Sequence, residues 1–132
     1  VRVEYVTRAG DQRFTSPLWM NGHEVVLTVP RGIRVLDLGY SESRYAADLA
    51  GSFTCDDPFL NRLWQKAAHT LQVTMRDTYM DCPDRERAQW WGDAVIQLGQ
   101  AFYALDRRAD ALARKGILEL CAWQREDGSL FS

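Results

Sequence analysis

The feature that most constrains the fold is a change of hydrophobic period at Asp57-Pro58. Beyond it Phe59, Leu60, Leu63, Trp64, Ala67, Ala68 and Leu71 recur at helical spacing. Asp57 can accept hydrogen bonds from first-turn N–H groups, and Pro58 suits the first helical position, where its missing N–H costs nothing. The spacing predicts a helix from Pro58 to about Val73. A second stripe comprises Ala94, Val95, Leu98, Ala101, Phe102 and Leu105, and a third Ala109, Leu112, Ala113, Ile117, Leu120 and Cys121, ending near Trp123. Asp93 is placed to cap the second helix and Asp106 the third. The last two helices, joined at Asp106, read as a helical hairpin, and Asp127-Gly128-Ser129 as a turn.

Ahead of Asp57 the period is two. Val1, Val3 and Tyr5 alternate with Arg2 and Glu4, Val25, Leu27 and Val29 repeat the pattern over 24–30, and 34–40 is a third β-prone run. Ala9-Gly10-Asp11, Asn21-Gly22 and Arg31-Gly32 supply turn chemistry between them. Three or four short strands make a marginal sheet by themselves. The expected fold class is therefore mixed, with a β-rich segment over 1–50 that forms the tail of a larger, β-sandwich-like domain, and about three helices in 51–132.

Composition removes several functions. With 16 basic and 18 acidic residues, a net charge of -2 and no basic run, nothing attracts a nucleic acid or an anionic membrane surface. No apolar run approaches the roughly 20 residues of a membrane span. Cys55, Cys82 and Cys121 lack Cys-x-x-Cys spacing and read as free, mostly buried thiols, and His69 has no partner ligand four residues away on its helix. There is no Gly-x-Gly-x-x-Gly, Walker loop, Gly-x-Ser-x-Gly or His-Glu-x-x-His, so no cofactor or metal is expected.

Chemistry concentrates between Asp77 and Asp93. Asp77, Asp81, Asp84, Glu86 and Asp93 stand there with Arg85, Arg87, Trp90 and Trp91, spaced too irregularly to form one apolar face. Pro83 is unsuited to a helix interior, so Asp81 to Arg87 reads as a loop and Trp90 as the entry to a helix. Indole faces cover the apolar side of a sugar ring, arginines and carboxylates bond its hydroxyls, and a carboxylic acid among like charges can keep its proton. This is equipment for a polar, hydroxylated ligand. The plainer alternative is a solvated charged loop beside two core tryptophans.

Asp81-Cys82-Pro83-x-Arg85-Glu86-Arg87-x-x-Trp90-x-Gly92-Asp93 resembles the signature of the α-L-rhamnosidase-like glycoside hydrolases, whose catalytic domain is an (α/α)6 barrel of six helical hairpins. The resemblance extends to Gly51-Ser52-Phe53-Thr54-Cys55-Asp56-Asp57, Leu60-Asn61-x-Leu63-Trp64 and Tyr103-x-x-Asp106, while Ala88-Gln89 stands where the family often has Leu-Gly. It implies inverting hydrolysis of a terminal glycoside, most readily an α-L-rhamnoside, with Glu86 as general acid. Asp81 and Asp93 would hold ring hydroxyls and help the acid keep its proton, Arg85 would orient one of them, and Trp90 would stack on the sugar. The general base would come from a later hairpin, where neither Glu119 nor Glu126 lies. On this reading 51–132 is the N-terminal part of the barrel domain, catalytically silent alone, with an exposed apolar face covered by the remaining hairpins or an oligomeric partner. The alternatives are a non-catalytic carbohydrate-binding or structural module, and a six-hairpin hydrolase for another sugar.

Overall fold

The computed structural model describes residues 2–130, and the chain divides into two units, Val1–Leu38 and Gly39–Ser132. The first unit corrects the sequence reading. Among its described residues there is no strand, and therefore no sandwich-like β domain. Two of the three expected turns are present, with Gly10 and Gly32 at φ of +89° and +87° and Ile33 N–H bonding the Pro30 carbonyl at 3.4 Å, whereas at Asn21-Gly22 the chain only bends, at His23. Gln12 closes the first turn, its Oε1 accepting from Tyr5 Oη and Arg8 N–H at 2.9 Å each, and the Tyr5 and Phe14 rings stack with centroids 4.6 Å apart. What is missing is the ladder. A turn is satisfied by its own residues, whereas a strand needs a second chain segment to take its N–H and C=O groups. Val25, Leu27 and Val29 remain 77%, 51% and 43% exposed, so alternation here never acquires a buried face.

The second unit is helical. Helix α1 spans Pro58–Val73, α2 Trp91–Ala104 and α3 Ala109–Ala122. The start of α1 follows the capping chemistry: Asp57 Oδ1 accepts the Phe59 N–H at 2.8 Å, with Pro58 in the first turn. Asn61 then ties the incoming chain to the helix, exchanging two 2.8 Å bonds with the backbone of Cys55. The caps of the other helices differ from expectation. Trp90, not Asp93, is the residue before α2, and it offers no side-chain cap; Asp93 lies within the first turn. Asp106 sits two residues ahead of Arg108, the α3 cap position, and its Oδ1 accepts the Arg108 N–H at 3.0 Å.

Helix α2 packs against both α1 and α3, while α1 and α3 do not touch among the described residues. The three helices thus form a row rather than a closed bundle. Their packing uses small residues: Ala68 on α1, Ala94, Ala101 and Ala104 on α2, and Ala109, Ala113 and Gly116 on α3, with Leu71 and Leu112 as the larger members. Methyl-sized side chains let helix backbones approach closely, leaving the bulkier half of each apolar stripe outside. Phe59 and Leu63, Val95 and Phe102, and Ile117 are accordingly exposed. The thiols also depart from expectation, Cys121 being exposed and Cys55 and Cys82 half-buried.

Chain ahead of α1 crosses this row. Ala50 and Gly51 both donate to the Ala104 carbonyl, at 3.0 and 3.1 Å, and the Asp48 carbonyl accepts from Asp106 N–H at 3.0 Å. Approach is so close that a Cβ on Gly51 would lie 2.0 Å from the Tyr103 carbonyl oxygen. Ala47 and Leu105 join the core there, and Arg108 bonds both Asp48 and Asp106. Tyr45 Oη completes the clasp by donating to the Arg108 carbonyl at 2.9 Å.

Candidate active site

The charged stretch forms the connection 74–90 between α1 and α2. Its base is rigidly held. Met80 N–H bonds the Thr74 carbonyl at 2.9 Å, and Gln97 of α2 reaches across to donate to the Met80 carbonyl at 2.7 Å and to Thr74 Oγ1 at 3.3 Å. Met75 and Tyr79 pair in an isolated antiparallel bridge and are both buried. The Tyr79 hydroxyl has no hydrogen-bond partner within the described protein, and burial first, with Tyr45 and Asp110 adding, pushes it up to about 12. It stays neutral and acts as packing.

Above this base, residues 81–88 form a pinched loop. Asp81 N–H donates to the Ala88 carbonyl at 2.9 Å, and Ala88 N–H returns a 3.0 Å bond to Asp81 Oδ1. Burial opposes ionisation of Asp81, yet hydrogen bonds from the Cys82 thiol and from the Ala88, Cys82 and Asp81 N–H groups outweigh it. They hold its carboxyl below the usual aspartate range. Asp81 is thus a fixed acceptor.

Inside the loop, Glu86 N–H donates to Cys82 Sγ at 3.4 Å and Arg87 Nε to the Asp84 carbonyl at 3.0 Å. Arg87 has a φ of +56°, a conformation that a non-glycine residue holds only when its surroundings impose it. That turn brings Glu86 back toward the helix entry. Glu86 Oε1 pairs with the Arg85 guanidinium, and Oε2 accepts the indole N–H of Trp90 at 2.7 Å.

Four of the five residues singled out from sequence therefore lie on one loop and its exit. Arg85, Glu86 and Trp90 are in direct contact, and Asp81 joins them through Cys82 and Ala88. Asp93 stands apart, exposed in the first turn of α2, with no hydrogen bond to Asp81, Arg85 or Glu86 among the described residues. Its charge there complements the positive end of the helix dipole. The arrangement offers a half-exposed carboxyl group beside a cation and an aromatic donor, with a second, ionised carboxylate fixed nearby. No cluster suited to a metal ion occurs among the described residues, and no described helix is long and apolar enough to cross a membrane.

Sequence reasoning missed the supports. Gln89 Oε1 accepts from Thr78 Oγ1 at 2.6 Å and Tyr79 N–H at 3.3 Å, and the same carboxamide rests on Gly116 of α3, where a Cβ would meet it at 3.0 Å. Gln89 and Gln97 are neutral residues in ordinary contexts, so only their tertiary partners disclose their role.

Neither a curated protein nor a solved structure matches the chain. The family described as the bacterial alpha-L-rhamnosidase six-hairpin glycosidase domain matches residues 48–132, which takes in the loop, all three helices and most of the chain that crosses them ahead of α1. By that match over most of its length, the chain belongs to the bacterial alpha-L-rhamnosidase six-hairpin glycosidase domain family.

Proposed function

We propose that residues 51–132 are the N-terminal part of the catalytic domain of an inverting glycoside hydrolase that removes a terminal α-L-rhamnosyl unit. Glu86 is the general acid that protonates the departing oxygen, Asp81 and Asp93 accept ring hydroxyls, Arg85 orients the acid, and Trp90 covers one face of the sugar. The observation that carries this reading is the 2.7 Å bond between Glu86 Oε2 and the Trp90 indole, which sets the proton donor and the stacking surface at a fixed spacing. Ionised Asp81 complements it, because an acceptor that stays charged can hold hydroxyl donors throughout turnover.

Inversion also needs a base that activates water on the opposite face of the sugar, with the two carboxyl groups about 6.5 to 9.5 Å apart. In this proposal the base comes from another hairpin of the domain. Glu119, ion-paired with Lys115 on α3, is not the base in this proposal. The same hairpins cover Phe59, Leu63, Val95, Phe102 and Ile117, the apolar side chains left outside the helix row.

The test is Glu86→Gln in the full-length enzyme. Activity on a rhamnoside with a poor leaving group should fall by about 10²- to 10⁴-fold, and by much less when the leaving group departs without a proton. Equal and small losses on both substrates remove Glu86 from the acid role. A panel of chromogenic glycosides decides the sugar, and sugar binding without hydrolysis of any of them identifies a carbohydrate-binding module instead.

A further inference from the structure

Of the three thiols, Cys82 alone stands among the charged groups of the loop. Cys55 donates to the Asp57 carbonyl at 3.6 Å ahead of α1, and Cys121 is exposed near the end of α3. Cys82 is half-buried; its sulfur accepts the Glu86 N–H at 3.4 Å, and its thiol hydrogen goes to the Asp81 carboxylate. Only a thiol or a hydroxyl can donate and accept through a single side-chain atom in this way. Pro83 follows and disfavours helical backbone at Cys82, which limits the directions open to the thiol.

The two amides on either side of Arg87 are both tied down, Glu86 N–H to Cys82 Sγ and Ala88 N–H to Asp81 Oδ1 at 3.0 Å. Arg87 between them has its φ of +56°, and a strained residue persists only where such neighbours impose it. Cys82 belongs to both bonds, since it receives the first amide and donates to the carboxylate that receives the second. Burial works against ionisation of Asp81, and the thiol is the first of the hydrogen bonds that outweigh it. Arg85 and Trp90 fix the far end of the Glu86 side chain, whereas the contact with Cys82 fixes the backbone from which that side chain starts. We propose that Cys82 is a positioning residue of the site, its thiol coupling the hydroxyl acceptor Asp81 to the acid Glu86 so that neither shifts along the loop without the other. This rests on the roles proposed for Glu86 and Asp81. The bonds that carry it lie within residues 81–90 and are independent of what packs on the outer faces of the helices.

The experiment compares Cys82→Ala, Cys82→Ser and Glu86→Gln with the wild type in the full-length enzyme. Two rhamnosides are used, an alkyl one whose leaving group needs a proton and a dinitrophenyl one whose leaving group does not. Cys82→Ala should lower kcat about tenfold on the alkyl substrate and by less than about threefold on the other, because a misplaced acid is felt only where a proton is delivered. Cys82→Ser keeps a group that donates and accepts, and should recover most of the loss. Equal losses on the two substrates, or a serine variant no better than alanine, overturn the proposal. Two readouts need no turnover. In Cys82→Ala the Glu86 amide should exchange with solvent about tenfold faster, and the Asp81 carboxyl, followed by NMR, should titrate at higher pH than in the wild type, both returning toward wild-type behaviour in Cys82→Ser. An unchanged Glu86 amide or an unchanged Asp81 titration overturns the coupling. If Glu86→Gln itself shows no dependence on the leaving group, the acid role falls, and exchange and titration still decide whether the thiol joins the two residues.

Discussion

The indole Nε1–H of Trp90 donates to Glu86 Oε2 at 2.7 Å, joining the residue before α2 to a carboxylate four positions earlier on the loop. A hydrogen bond of this kind contributes about 0.5 to 1.5 kcal/mol, and this one also fixes the direction in which the carboxyl group points. Trp90→Phe keeps an aromatic face and removes the donor. It should lower kcat by about tenfold or more with a smaller change in KM, measured on an aryl rhamnoside. A change confined to KM indicates that stacking is all Trp90 provides.

Asp81 holds the loop closed through its two-way exchange with Ala88. Asp81→Ala should raise the hydrogen-exchange rate of the Ala88 amide by roughly tenfold, a loss of about 1.4 kcal/mol of local protection. Amides within α2, such as that of Ala101, should be unaffected. The depressed carboxyl of Asp81 sets the sign with pH: its contribution is complete above the ordinary aspartate range and is lost only as pH falls through its lower folded value.

Gly51 lies where the chain ahead of α1 crosses the end of α2. A Cβ there would sit 2.0 Å from the Tyr103 carbonyl oxygen, and that atom is backbone, with little freedom to yield. Gly51→Ala should destabilise the helical unit by about 1 to 3 kcal/mol, read from urea denaturation. An unchanged midpoint means the crossing can open without cost.

Acid stability centres on Asp106. Its hydrogen bond from Arg108 comes first, burial works against it, and N–H groups of Arg108 and Asp48 add, lowering the carboxyl from 3.8 to about 2. A folded value below the unfolded one stabilises the protein fully above about pH 4, and the contribution disappears as pH falls toward about 2. Asp106→Asn should therefore lower Tm at about pH 6, with the gap from wild type narrowing below about pH 4. A gap of constant size from about pH 6 down to about pH 2 excludes the charge as its source.

Much of the helical unit was legible because its determinants are local. Asp57, Pro58 and the 3.6-residue stripe define α1 without reference to anything else, and Pro83 among charges marks the loop in the same way. The charged stretch stood out for a related reason: five carboxylates so close together are too costly to bury as core. The supports were not visible, since Gln89 and Gln97 acquire meaning only from Thr78, Tyr79, Met80 and Gly116.

What the sequence by itself determined is where helices form, where most turns fall and which stretch gathers charged groups, each a matter of neighbours within a few positions. Tertiary structure decided the rest. It decided that the period-two runs of 2–38 stay without strands, because a ladder is a relation between two segments and alternation specifies only one of them. It decided which half of each helical stripe is buried, selecting Ala68, Ala94, Ala101 and Gly116 over Phe59, Val95 and Ile117, because backbone approach favours the smaller side chains. And it decided that Glu86 meets Trp90 while Asp93 does not: the left-handed turn at Arg87 folds the loop back on the helix entry, a geometry no spacing along the chain expresses.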